Sequence, residues 1–134
     1  MKNVLILCTG NSCRSIIAEA LINAKMGDCV FAQSSGVKAS GKVNPNAQVL
    51  LESKGYWREE YHSKVIDTVI DTPFDLVVTV CDHAHETCPM FPKATKTIHV
   101  SFEDPSGKEE QEYAKTLDLI EKNLLPIIKQ ELCS

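Results

Sequence analysis

NVLILCTGNSCRS, running from Asn3 to Ser15, carries the clearest architectural signal in the chain. Asn3 to Cys8 is a short, largely apolar run of the kind that forms a strand buried on both faces. TGNSCRS then interrupts it with the glycine, asparagine and serine of a turn. From Ser15 the apolar residues Ile16, Ile17, Ala20, Leu21 and Ala24 recur at helical spacing until Gly27 supplies a stop. A buried strand feeding a helix through a short turn opens a βα unit, and such units build parallel sheets with right-handed crossovers.

Working outward, Val30 to Gln33 predicts a second strand closing on Ser34-Ser35-Gly36. Asn44-Pro45 has the form of a helix N-cap followed by proline at the first helical position, with the helix continuing through Val49, Leu50 and Leu51 to Gly55. Residues 37–43 and 56–73 are polar connections, the second with a short helix near Val65 to Ile70. Phe74 to Cys81 (FDLVVTVC) is the strongest strand in the chain, and Lys96 to Val100 is a fourth. Tyr113, Leu117, Ile120, Leu124 and Ile127 mark a C-terminal amphipathic helix that Pro126 should kink. This order predicts an α/β fold with a mostly parallel, four-stranded sheet of order 2-1-3-4. Ligands of such sheets bind outside the carboxyl ends of strands 1 and 3, where the winding reverses. Those strands end at Cys8 and Cys81, so topology brings two cysteines distant in sequence to one rim.

The chain has 134 residues, 43% of them hydrophobic and 24% charged, which predicts one globular domain over residues 1–134. With 14 basic against 18 acidic residues and a net charge of -4, no field is present to draw nucleic acid or anionic lipid. The apolar runs are too short to span a bilayer, and Met1-Lys2-Asn3 leads straight into the first strand with no signal-peptide layout. A cytoplasmic monomer is expected. In a reducing compartment, six cysteines suggest redox, catalytic or metal-binding use rather than static cross-linking.

The turn after the first strand has a chemistry of its own. Thr9, Gly10, Asn11, Ser12, Cys13, Arg14 and Ser15 can aim successive backbone N–H groups at one point, an anion-binding nest reinforced by the helix dipole. Arg14 adds a planar fork for a tetrahedral oxyanion. Cys8 at the mouth of that nest feels the same field, which favours its thiolate, and Ser15 is placed to donate a hydrogen bond to it. Neither GxGxxG nor GxxxxGK[ST] is present, so a nucleotide site is disfavoured.

CTGNSCRS after a first strand resembles the active-site loop shared by the low-molecular-weight protein tyrosine phosphatases and the arsenate reductases of the same fold. The resemblance continues through Ser34-Ser35-Gly36, Asn44-Pro45, His62-Ser63, DLVVTVC and Asp104-Pro105. It implies a three-layer α/β/α fold in which Cys8 is the nucleophile, Arg14 binds the oxyanion and Asp104 is the general acid. The loop alone does not separate phosphatase from reductase, and Cys13 is common to both.

The segment CDHAHETCP, Cys81 to Pro89, does separate them. Its cysteine pair resembles that of the thioredoxin-coupled arsenate reductases, where thiols supply the two electrons that arsenate reduction needs. The resemblance implies that Cys81 attacks Cys8 to expel arsenite, that Cys88 then attacks Cys81, and that thioredoxin, in preference to glutaredoxin, reduces the Cys81–Cys88 disulfide. Phosphate and sulfate would compete with arsenate. No tightly bound cofactor is implied, although some relatives hold a potassium ion at positions matching Asn11, Glu19 and Ser34. The aspartate that completes that set is absent from His62-Ser63-Lys64-Val65, and the Lys64 ammonium is an alternative occupant.

Alternatives remain open. A tyrosine or small-phosphoester phosphatase would use the same Cys8, Arg14 and Asp104. However, Ser106-Gly107-Lys108 after Asp104-Pro105 lacks the aromatic residues that clasp a phenyl ring. Cys81, His83, His85 and Cys88 form a possible zinc set of unfamiliar spacing. A non-catalytic thiol sensor or oxyanion-binding module is a further alternative. Cys29 and Cys133 fit no part of the pattern and read as spectators.

Overall fold

The computed structural model describes residues 1–81, 91, 93 and 95–133. Four strands, β1 (Lys2–Cys8), β2 (Val30–Gly36), β3 (Leu76–Thr79) and β4 (Thr97–His99), form one sheet in the order β2-β1-β3-β4. Every pairing is parallel. The helices are α1 (Arg14–Met26), α2 (Pro45–Lys54), α3 (Glu110–Asn123) and α4 (Leu125–Leu132), with one 3-10 turn over Ile66–Thr68. This is the expected α/β architecture of order 2-1-3-4. Among the described residues no helix is long and apolar enough to cross a membrane.

Alternation along the central strand builds the core. Val4, Ile6 and Cys8 of β1 join a cluster with Ile16, Ile17, Leu21, Leu51, Tyr113, Ile120, Leu124 and Ile128 from the helices. Leu5 and Leu7 face the other way, against Val69, Phe74 and Val77. The helix α1 is buried along Arg14 to Asn23, polar residues included, because it lies between the sheet and the other helices. Its charged and amide side chains therefore require internal partners.

Several boundaries differ from expectation for identifiable reasons. The strand β2 continues past Gln33 to Gly36, since its ladder with β1 runs to the Cys8–Gly36 pair. Gly27 ends α1 in the right-handed region rather than the left-handed one. A Cβ there would come within 2.5 Å of the Asn23 carbonyl oxygen, so glycine is needed for space instead of torsion. β3 stops at Thr79, placing Cys81 beyond the strand rather than at its end. Pro126 divides the C-terminal segment into α3 and α4. Proline is tolerated only in the first turn of a helix, so a new helix begins just before it. The second helix is as expected: the Asn44 side chain caps α2 by accepting from the Asn46 and Ala47 amides, and Gly55 closes it at φ 78°.

Candidate active site

At the carboxyl end of β1, residues 8–14 curl around a cavity of about 240 Å³ that Asp104 also lines. The loop's shape depends on one left-handed residue, Asn11 at φ 49°, a conformation asparagine accepts more readily than most side chains. It also depends on a close approach at Gly36, where a Cβ would meet the Thr9 carbonyl oxygen at 2.4 Å. The loop carbonyls are engaged from outside: Thr9 accepts from the Lys38 amide at 3.0 Å, Gly10 from Ser40 at 2.9 Å and Ser12 from Asn44 at 2.8 Å. Pointing carbonyls outward into residues 38–44 leaves the amide dipoles directed toward the cavity, the arrangement an oxyanion needs.

Cys8 is a free, buried thiol in this cavity. Its sulfur accepts from the Asn11 amide at 3.2 Å and lies 3.1 Å from the Ser15 hydroxyl. The Ser15 oxygen accepts from Asn11 Nδ2 at 2.8 Å, and its hydroxyl can donate to Cys8 when the sulfur is a thiolate. Asn11 Nδ2 also donates to Ser34 Oγ at 3.0 Å, and Ser34 in turn donates to Glu19 Oε1 at 2.6 Å. Lys64 reaches the same group from outside the loop. Its ammonium is 4.0 Å from Glu19 Oε2, and its amide donates to Asn11 Oδ1 at 2.8 Å. Burial raises the Glu19 carboxyl to about 7, with the Lys64 charge and the Ser34 hydrogen bond opposing that rise.

Arg14 is 5% exposed. Its Nη1 donates to the Phe102 carbonyl at 3.0 Å and its Nη2 lies 3.7 Å from Asp104 Oδ2, an ion pair at the cavity's open side. Asp104 is 46% exposed, and it accepts from the Ser106 amide at 2.9 Å. Cys13 also lines the cavity, but burial, with the Asp104 charge adding to it, pushes its thiol up to about 12. Cys13 therefore stays protonated near neutral pH.

Cys81 is fully buried just beyond β3. The Leu7–Thr79 register and the hydrogen bond from the Val80 amide to the Leu7 carbonyl put it at the carboxyl end of the sheet, the end at which Cys8 lies. It is disulfide-bonded, not free. Cys88, His83 and His85 lie outside the described residues. Among the described residues no cluster of three or more His, Cys, Asp or Glu side chains is placed to hold a metal.

A family model described as low molecular weight phosphotyrosine protein phosphatase matches residues 3–132. The chain belongs to this family. Among curated relatives of this phosphatase-fold chain is an arsenate reductase of Brevibacillus brevis, 41% identical over 119 residues, which cover 89% of this chain and 88% of the relative. The structure is similar to that of an arsenate reductase from Archaeoglobus fulgidus, with a TM-score of 0.83 and 33% identity, covering 93% of this chain and 98% of the other. A thioredoxin-dependent arsenate reductase of Corynebacterium glutamicum matches with a TM-score of 0.72 and 26% identity, covering 97% of this chain and 63% of that one.

Cys29 and Cys133, expected to be spectators, are instead bonded to each other across 104 residues of sequence. No local motif announces that pairing, since only the return of the last helix to the sheet brings the two together. Sequence reasoning also missed the bracing by residues 38–44 and the Phe102 carbonyl. The Asn44 cap was legible, but its contact with the loop was not.

Proposed function

We propose that this family member reduces arsenate to arsenite with electrons drawn from cysteine thiols. The observation that carries the proposal is Cys81: a phosphatase needs Cys8, Arg14 and an acid, whereas the buried, disulfide-bonded sulfur of Cys81 at the same rim is required only by a thiol relay. Arsenate occupies the loop cavity, held by backbone amides and by the Arg14 guanidinium. The Cys8 thiolate, steadied by Ser15 and the Asn11 amide, attacks arsenic, and Asp104 protonates the departing oxygen so that water leaves.

Cys81 thiolate then attacks the Cys8 sulfur. The electron pair of the arsenic–sulfur bond stays on arsenic, which leaves as arsenite, and a Cys8–Cys81 disulfide remains. Cys88 attacks Cys81, returning Cys8 to its thiolate and leaving Cys81–Cys88, which a thioredoxin dithiol reduces with two electrons. Hydrolysis of a phosphoester is the second reading, favoured by the cavity itself; water would replace Cys81 as the attacking group.

The same reading makes Lys64, not potassium, the internal cation. The Lys64 ammonium already faces Glu19, Ser34 donates its hydroxyl hydrogen to that carboxylate, and Asn11 Oδ1 is engaged by the Lys64 amide. These partners do not fit a metal ion, so turnover should be equal in potassium and sodium salts.

The deciding assay is arsenate-dependent NADPH consumption with thioredoxin and thioredoxin reductase, compared with glutaredoxin and glutathione. Turnover with the first couple is expected. Phosphoester hydrolysis with no arsenate-dependent NADPH loss under either couple would overturn the reductase reading.

A further inference from the structure

The Cys29–Cys133 bond lies at the end of the sheet opposite the oxyanion cavity. Cys29 sits between α1 and β2, and its carbonyl accepts from the Lys2 amide at 3.1 Å, at the amino end of β1. Cys133 follows α4, a helix of 8 residues whose Ile128 is buried in the main core and whose Leu132 packs against that core. So short a helix does not persist without tertiary contacts. The disulfide is its covalent attachment at the chain's end.

The bond is accessible. Both cysteines are half-buried, and an open cleft of about 280 Å³ exposes them between Lys25, Met26, Asp28 and Lys129. None of these residues lines the cavity around Cys8.

We propose that Cys29 and Cys133 form a second thiol–disulfide site, a latch on the C-terminal helix that exchanges with small-molecule thiols and governs stability rather than turnover. A small thiolate attacks one of the two sulfurs, the protein S–S bond breaks, and the other cysteine departs as a thiolate. A second small thiol attacks the resulting mixed disulfide, leaving as a low-molecular-weight disulfide. Two electrons and two protons thereby pass to the protein, and a low-molecular-weight disulfide reverses both steps. Closing a loop of 104 residues restricts the unfolded chain, so the bonded form is the more stable one.

Thermal unfolding of the whole protein and of Cys133→Ser, in buffers of varied reduced-to-oxidised glutathione ratio, tests this. Oxidised wild type should melt roughly 5–15 °C above Cys133→Ser, and reduced glutathione should remove that difference reversibly. Arsenate turnover of the variant should stay within about twofold of wild type, since the latch and the cavity share no residue. Differential alkylation and peptide mapping of wild type read the pair directly, even if the variant fails to fold, and should show Cys29 and Cys133 protected together at oxidising ratios. Cys29 and Cys133 alkylated at every ratio, equal melting of both proteins, or a collapse of turnover in Cys133→Ser would each overturn the proposal. Opening by thioredoxin but not by glutathione would overturn the assignment to small thiols.

Discussion

The two ends of the sheet put cysteine in different surroundings. At the carboxyl ends of the strands, Cys8 is a free thiol held by an amide and a hydroxyl, Cys13 is a second free thiol in the same cavity, and Cys81 at that rim carries a disulfide next to a nucleophile it can exchange with. At the amino ends, Cys29 and Cys133 are joined to each other beside an open cleft. The contrast lies in surroundings and not in residue type. Parallel strands carry their loops and helix N-termini at the carboxyl end, so amide dipoles and Arg14 converge there and a thiolate has a use. Among the described residues no such convergence is found at the other end, where a sulfur contributes to stability chiefly through a covalent bond.

The contrast is broken most severely at Cys8. Cys8→Ser should lower arsenate turnover by roughly 10⁴-fold or more. Phosphate should still raise its melting temperature, since the amides and Arg14 remain. A Cys8→Ser protein with measurable thioredoxin-linked turnover would remove the nucleophile from the scheme.

Replacing the relay cysteines should be nearly as damaging, but at different stages. Cys81→Ser should bind arsenate yet release no arsenite, whereas Cys88→Ser should complete a single release and accumulate the Cys8–Cys81 bond. Quenched-flow arsenite measurement with non-reducing peptide mapping separates the two. Full steady-state turnover by Cys88→Ser would contradict the relay.

A smaller loss is expected at Asp104, which is half in solvent and whose turn and ion pair leave it less confined than the loop. Asp104→Asn should slow turnover by roughly 10²–10⁴-fold while oxyanion affinity changes only a few-fold. Equal losses in kcat and in phosphate affinity would instead make Asp104 a binding residue.

The mildest effect concerns Glu19. Its folded carboxyl is raised from 4.5 to about 7, so the folded state binds more protons between those values than the unfolded state does. Stability should therefore fall as pH rises through that window, by on the order of 3 kcal/mol, and the fall should be much reduced in Glu19→Gln. Denaturant midpoints from pH 4 to 8 measure it; an equally steep fall in the variant would assign the dependence to another group.

Much of this rim was legible before the fold. Periodicity marks β1, α1 and β3, and an Asn-Pro pair with Gly55 bounds α2, because strand and helix repeats and cap preferences act over a few residues. Cys8, the loop residues and Arg14 are legible for the same reason: nucleophile, turn and helix start are contiguous. What remained hidden depends on chain segments that meet only when folded. The Phe102 carbonyl orients Arg14 from 88 residues away, Lys64 reaches Asn11 across 53, and Cys29 finds Cys133 across 104. Local torsional preference and apolar periodicity specify the order of strands and helices and the turn that follows β1. Only the tertiary structure decided that Gly36 must lack a Cβ, that Glu19 is buried against an internal ammonium and that the outlying cysteines are partners. Close approach, desolvation and cross-linking are properties of three-dimensional neighbours, and no spacing along the chain records them.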